Sequence, residues 1–382
     1  VTGLSVIIAG GGVGGLTLAG MLTRQGAQVT VLEKTPSRLG QGAALAIWPN
    51  AMLGLLSSGD AEMYEEVLAL GRPVYHALMG SLERRWYGRV DLRPLSKRYG
   101  VTGLGMVRTE LMSTLVKLSG ADIRYGHEVV GATPDGTVTL SSGETLRADV
   151  VVGADGIGSA VRRALLPPGS VDRLGEPHTG WQGVADQTDI WDGDGPEFMF
   201  GNGGAAGLLP LNGGRTYWFV DGSIETRPET QGWPEIMNLM IAATPPEQLA
   251  KDRVYTRPPV RNWGSGRITL LGDAAHPLLP TVGQGACMAI ESAAVLAARL
   301  RDTTDPVAAL RQYESDRFKR VTTVFKRSIT QVRQRAIPDA VRNRMLATMP
   351  DKAITFFFTG SAKPIPEFAD AHLPGRRVGG RA

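Results

Sequence analysis

The chain is poor in cysteine. Among its 382 residues Cys287 stands alone, which excludes an intrachain disulfide, a redox Cys pair and any multi-cysteine metal site. No metal site is expected elsewhere. Long hydrophobic runs are equally missing. The first apolar stretch, Leu4-Ser5-Val6-Ile7-Ile8-Ala9, ends in glycines after too few residues for a membrane span or a signal peptide, and no basic segment precedes it. A cytoplasmic protein without a membrane span is the expectation. Charge of one sign is scarce too: 41 Lys plus Arg stand against 37 Asp plus Glu, for a net charge of +4. The basic residues are dispersed, with no run interleaved with aromatics, so nothing points to nucleic acid. Low complexity is excluded because the 49 glycines cluster in short turns rather than in a periodic array.

What remains is ordinary globular chemistry, with 42% hydrophobic and 20% charged residues, enough for a substantial core. Leu4 to Ala9 reads as a buried strand, Val13 to Gln25 as a helix and Gln28 to Glu33 as a second strand. Together they form a βαβ unit of about thirty residues. Thr109 to Leu118 reads as a helix that Thr109 caps. Thr137 to Leu140 and Glu144 to Arg147 read as a hairpin, and Ala148 to Gly153 as a further apolar strand before a helix from Ser159. From about residue 175 to 259 the texture changes to short alternating strands, such as Glu197 to Phe200 and Thr216 to Val220, split by Gly-rich turns. That pattern predicts an antiparallel sheet. Arg267 to Leu271 returns to the buried-strand pattern. Helices follow over 285–300 and 305–336, the second opened by Asp305-Pro306 and closed by Pro338.

Three stretches carry chemistry. The first is Gly10-Gly11-Gly12-Val13-Gly14-Gly15, a G-x-G-x-x-G between a strand and a helix. Gly10 permits the tight turn, Gly12 lets a pyrophosphate approach the main chain, and Gly15 allows the helix to pack closely on the strand. The helix N-terminus offers N–H groups to phosphate. Glu33, at the end of the next strand, is placed for ribose hydroxyls and disfavours a 2′-phosphate, so FAD or NAD fits better than NADP. This stretch does not separate the two. The second is Asp149 to Arg162, a buried strand followed by Asp155-Gly156 and a helix opened by Ser159. A turn residue, a cap and a surface charge at Arg162 account for it equally well. In the third, Arg267 to Gly285, Gly272-Asp273 ends a strand, and a Pro-containing loop leads to Gly283-Gln284-Gly285. Asp273 suits a polyol hydroxyl, and the N–H groups from Gly283 to Ala286 suit negative charge on a bound ring. His276, beside a proline, reads as structural rather than catalytic.

In this order the three stretches resemble the FAD-dependent aromatic hydroxylase superfamily typified by p-hydroxybenzoate hydroxylase, with its GxGxxG, DG and GD motifs. The segment Gln41 to Asn50 and Gly283-Gln284-Gly285-Ala286-Cys287 look closest to the salicylate hydroxylase, urate hydroxylase and zeaxanthin epoxidase branch. The fold implied is α/β. A Rossmann-like FAD-binding domain (1–70, 95–174, 260–330) is interleaved with an antiparallel-sheet substrate domain (71–94, 175–259), and C-terminal helices and a tail occupy 331–382. The resemblance implies that FAD is held by Gly10, Gly12, Val13, Gly14, Gly15, Glu33, Lys34, Arg38, Ala43, Arg108, Asp155, Gly272, Asp273, Gly283, Gly285 and Ala286. Pro280, Gly283, Gln284 and Gly285 would flank the flavin ring, and no protein residue is singled out as catalytic.

The implied reaction uses NADPH or NADH, bound transiently, and O2. A flavin C4a-hydroperoxide hydroxylates or epoxidises a small aromatic or polyene substrate. Another flavoenzyme of the same fold (an oxidase, reductase or halogenase) and a non-catalytic flavin-binding protein are the alternatives, and no W-x-W-x-I-P segment supports a halogenase. Trp181, Phe198, Phe200, Leu209 and Trp218 are candidate substrate contacts, although such residues fill cores more often than they touch ligands. A monomer or homodimer is expected. One departure from the branch stands out: its usual Glu-Asp-Ala is here Glu291-Ser292-Ala293.

Overall fold

In the computed structural model of the chain, the described residues are 3–36, 43–58, 61–167, 172, 174–175, 177–186, 189–221, 232–301 and 303–363. Val6, Ile7, Ile8 and Ala9 are buried on both faces, which is why this run needs no polar alternation to form a strand. Strand Ser5–Ala9 lies at the centre of a five-stranded sheet, paired in parallel with Gln28–Glu33 on one side and Val150–Gly153 on the other. Asp122–Tyr125 and Ile268–Leu270 form its edges, also in parallel register. The strands ending at Ala9, Gly153 and Leu270 run side by side. The three sequence motifs, each just after one of these strands, therefore emerge along one edge of the sheet.

A second, seven-stranded sheet runs in the order Ala250–Val254, His178–Ala185, Thr216–Asp221, Gly204–Pro210, Glu197–Gly201, His76–Ser81 and Trp86–Asp91. It is not wholly antiparallel as the sequence suggests: Glu197–Gly201 pairs in parallel with His76–Ser81. A hairpin from much earlier in the chain supplies that edge, and local alternation carries no record of such a long-range join. One face of this sheet packs on helix Glu235–Ala242, where Met199, Leu208, Trp218, Val220, Met237 and Met240 form a second core. The other face turns toward the parallel sheet.

Helix Arg108–Ser119 starts one residue before the expected Thr109 cap. Val107 occupies the cap position and no side chain closes that end. Helix Pro49–Ser57 escapes periodicity because it is buried almost all round, from Pro49 to Leu55. The long helix Pro306–Gln334 is opened by Asp305, whose side chain accepts the Ala308 N–H at 3.1 Å. Past Pro338 the chain forms two short helices, Asp339–Thr348 and Asp351–Thr359, each entered through a proline. They lie over the edge hairpin, with Ile354 filling the space above Gly88. Among the described residues no helix is long and apolar enough to cross a membrane.

Candidate active site

At the first motif each glycine answers a different steric demand. Gly10 has φ of +107°, and a Cβ there would meet the Ala154 carbonyl oxygen at 2.3 Å. A Cβ on Gly15 would lie 2.1 Å from the Gly10 oxygen, so only glycine lets the helix sit this close to the turn. Gly12 differs, because a Cβ there would meet nothing within 4 Å. Nothing among the described residues requires Gly12 to be small. The open space above it does, if a ligand enters. Helix Val13–Arg24 has no side-chain cap and no acid in its first turn, so its N-terminal N–H groups and positive dipole end are left for an anion. Glu33 accepts the Gly11 N–H at 2.8 Å and the Thr35 N–H at 2.9 Å, which fixes its carboxylate beside the glycine turn. Lys34 is exposed next to it, and Arg38 lies outside the described residues.

Helix Gly285–Arg301 packs directly on the first helix. A Cβ on Gly14 would meet Leu271 at 2.5 Å and Ala289 at 3.0 Å. This contact brings a second helix N-terminus, again without an acid in its first turn, to the same cleft. A Cβ on Gly285 would also meet open space. Gly283 adopts φ of +57° to make the turn, after the short helical turn Pro280–Val282. Gly272, with φ of +62°, presents Asp273 to the open side of the cleft. Burial within the surrounding protein pushes the Asp273 carboxyl up, and the Arg108 guanidinium opposes that. Arg108 is itself pushed down by burial and held charged by Asp252 and Asp273. Ala43 enters through its carbonyl, which accepts the Arg108 N–H at 3.2 Å.

Asp155 caps the helix Ala160–Leu165: its Oδ2 accepts from Ala160 and Val161 at 2.8 and 3.2 Å, while its buried Oδ1 has no partner among the described residues. Ser159 adds a second cap by accepting the Arg162 N–H at 2.9 Å. Arg162 is not a surface charge. It is buried and pairs with Asp172 at 3.2 Å, and Asp172 also takes Arg257 at 2.6 Å.

Beneath the Gly-Gln-Gly turn lies a buried polar network that sequence inspection does not assemble. The Gln284 side chain is turned inward, where its Oε1 accepts from Asn50 at 3.1 Å. It supports the turn from below, and Gln284 also counts among the residues lining the cavity beside that turn. Asn50 also donates to Glu291 at 2.9 Å, and Glu291 is paired with Arg317 and Arg320. Burial pushes the Glu291 carboxyl up, but the two guanidinium groups outweigh it and hold the group down to about 2. Ser292, the departure from the family pattern, accepts from Arg317 Nε at 3.1 Å and contacts His276 Nε2 at 3.1 Å. His276 is buried, and burial followed by the Arg317 charge pushes it down to about 3, so it is a neutral packing residue. Burial likewise pushes Cys287 up to about 12, which removes it as a nucleophile.

Between the Gly283–Ala286 turn and the seven-stranded sheet lies a cavity of about 480 Å³. On the sheet side Phe198, Phe219 and Tyr217 form a row with ring centroids 6.3 and 6.1 Å apart. Phe200 and Leu209 line the same space, and Trp181 borders it while also packing on the second core. Trp218 does not line it. Alternation along Thr216–Asp221 sends Tyr217 and Phe219 to the cavity and Trp218 to the opposite face, where its indole N–H donates to Thr244 at 2.7 Å. The period-two rule applied to this strand would have found the right pair. Asp252, which accepts from Gln182, also lines the cavity, and burial pushes its carboxyl up against the opposing effects of Gln182 and Arg108. Nothing in sequence marks Asp252, because its partners come from distant strands.

The FAD binding domain family matches residues 3–328 of the chain. The aurachin C monooxygenase/isomerase of Stigmatella aurantiaca is 35% identical over 84% of this chain and 86% of its own length. The FAD-dependent urate hydroxylase of Klebsiella pneumoniae is 30% identical over 83% and 87%. The chloroplastic zeaxanthin epoxidase of Oryza sativa is 33% identical over 84% of this chain but only 53% of that protein. In three dimensions, Klebsiella pneumoniae HpxO complexed with FAD and uric acid superposes with a TM-score of 0.82 at 26% identity, covering 94% of this chain and 96% of that one.

Proposed function

Because the chain belongs to the FAD binding domain family and is an FAD-dependent monooxygenase of the hydroxylase and epoxidase kind, we propose that it draws electrons from NADH or NADPH. We further propose that it places one oxygen atom from O2 on an aromatic or polyene small molecule held against the Phe198–Phe219–Tyr217 row. The observation that carries this reading is the single cavity bordered by Asp273 and the Gly283–Ala286 turn on one wall and by that aromatic row on the other.

The residues present suit FAD. Open space over Gly12 and Gly285, two acid-free helix N-termini and a fixed Glu33 offer main-chain N–H groups to diphosphate and a carboxylate to ribose. Asp273 would hold a hydroxyl of the ribityl chain, and Arg108 would keep that carboxylate compensated. Bound FAD supplies the electron storage and oxygen activation that no protein side chain offers. The protein contributes position, dryness and dipoles. The N–H groups at the start of Gly285–Arg301 favour negative charge on whatever ring lies against them. The aromatic row holds a planar substrate by stacking and keeps water out. Asp252, lifted by burial, is the group at the cavity placed to accept or hold a proton from a ring substituent.

The test is a panel of aromatic and polyene compounds assayed for acceleration of NADH and NADPH oxidation by the purified flavoprotein. Acceleration by a subset of the panel is expected. Oxidation that no compound accelerates with either nucleotide would overturn the proposed reductant and substrate class.

A further inference from the structure

The cavity continues past the aromatic row to an end that the chemistry above leaves unused. There the wall comes from the two C-terminal helices and the link between them: Met345, Leu346, Met349 and Ile354. Met345 and Met349 are also 51% and 36% exposed. These four side chains give dispersion contacts and adaptable shape, with no hydrogen-bond donor or strong acceptor among them.

The two guanidinium groups bordering this end each already face a carboxylate of the protein. Arg335 places both terminal nitrogens on Asp221, at 2.6 and 3.0 Å, and His178 lies 3.3 Å from the same carboxylate. Arg342 uses one terminal nitrogen for the Phe200 carbonyl at 3.0 Å and the half-exposed Asp339 at 2.9 Å, and its buried Nε and Nη1 have no partner among the described residues. A ligand carboxylate at Arg335 would have to displace Asp221, losing a buried ion pair to gain one. A hydrocarbon displaces nothing.

We propose that the substrate is a neutral head-and-tail molecule. Its aromatic or polyene head lies on the Phe198–Phe219–Tyr217 row, and an uncharged hydrocarbon tail runs toward Met345, Leu346, Met349 and Ile354. This rests on the reading that the cavity holds the substrate of the monooxygenase. Each buried methylene then tightens binding about three- to fourfold.

The test uses the FAD-loaded enzyme titrated with phenol, para-butylphenol, para-octylphenol and the octyl compound ending in a carboxylate. Binding is read from the perturbation of the flavin absorbance, with no turnover required. Affinity is expected to rise by about tenfold or more from butyl to octyl and to fall by about tenfold or more when the tail carries the carboxylate. Leu346→Asn should weaken the octyl compound and leave phenol unchanged, which also verifies that the variant is folded. Equal affinity across the series, tighter binding of the acid, or no perturbation by any member would overturn the tail site. Tail-dependent binding without accelerated NADH or NADPH oxidation would count against the proposed reaction alone.

Discussion

The two walls of the cleft are made of different material. The cofactor wall works through main chain: glycines without side chains, two helix N-termini, and carboxylates such as Glu33 and Asp155 that are held by backbone N–H groups. The opposite wall works through side chains, with Phe198, Tyr217 and Phe219 alternating along their strands with the core residues Met199 and Trp218. The difference determines what each wall tolerates. Adding any Cβ in the wrong place damages the first, whatever its chemistry. The second can be rebuilt position by position as long as the residues facing the other way are left alone.

The sharpest break of that comparison lies within the glycine motif itself. Gly15→Val drives a side chain into the Gly10 carbonyl and should prevent folding of the βαβ unit, read as loss of both soluble protein and flavin. Gly12→Val starts its side chain in open space, with no described protein atom within 4 Å of the added Cβ, so it should fold with near-normal thermal stability yet lose FAD by about a hundredfold or more in affinity. Full flavin retention in Gly12→Val would show that the cofactor wall is not made of main chain at this point.

Next in size is the network that supports the Gly-Gln-Gly turn. Glu291→Ala leaves Arg317 and Arg320 without their buried carboxylate and should cost about 3–5 kcal/mol, seen as a lowered melting temperature. On the sheet, Trp218→Ala should cost a similar amount, about 3–5 kcal/mol, while leaving substrate KM near its original value. Phe219→Ala, one residue away, should do the reverse: a smaller loss of stability and a raised KM. Equal effects of the two on KM would break the assignment of faces.

The smallest expected effect is on pH dependence. His276 is pushed down to about 3 when folded, against an ordinary value of 6.5. A depressed folded value means that its contribution is complete above 6.5 and is lost as pH falls toward 3. Between pH 7 and 5 that loss is about 2 kcal/mol. The drop should appear in denaturant unfolding, and His276→Asn should flatten it. Glu291 adds to acid sensitivity only below its ordinary value of 4.5, since its folded form titrates at about 2.

These contrasts also explain what could be read from sequence. Steric demands of the main chain at Gly10 and Gly15, and of a ligand at Gly12, force glycine at set spacing, so the three announce themselves, as do a strand end at Glu33 and the Asp155-Gly156 and Gly272-Asp273 turns. The five-stranded sheet follows from its apolar runs. The sheet wall is different, because its residues come from strands far apart in the chain. Tyr217 and Phe219 were legible in principle from alternation, whereas bulk pointed wrongly to Trp218. Asp252 and the Asn50–Gln284–Glu291 network were not legible at all, since they exist only once distant segments have met.

The central claim is that the molecule bound between these walls receives an oxygen atom activated at the cofactor wall. Turnover of a stimulating substrate under isotopically labelled O2, with the product examined by mass spectrometry, tests it most directly. The expected product is heavier than its substrate by one labelled oxygen atom. A product that is oxidised without gaining that label would contradict it.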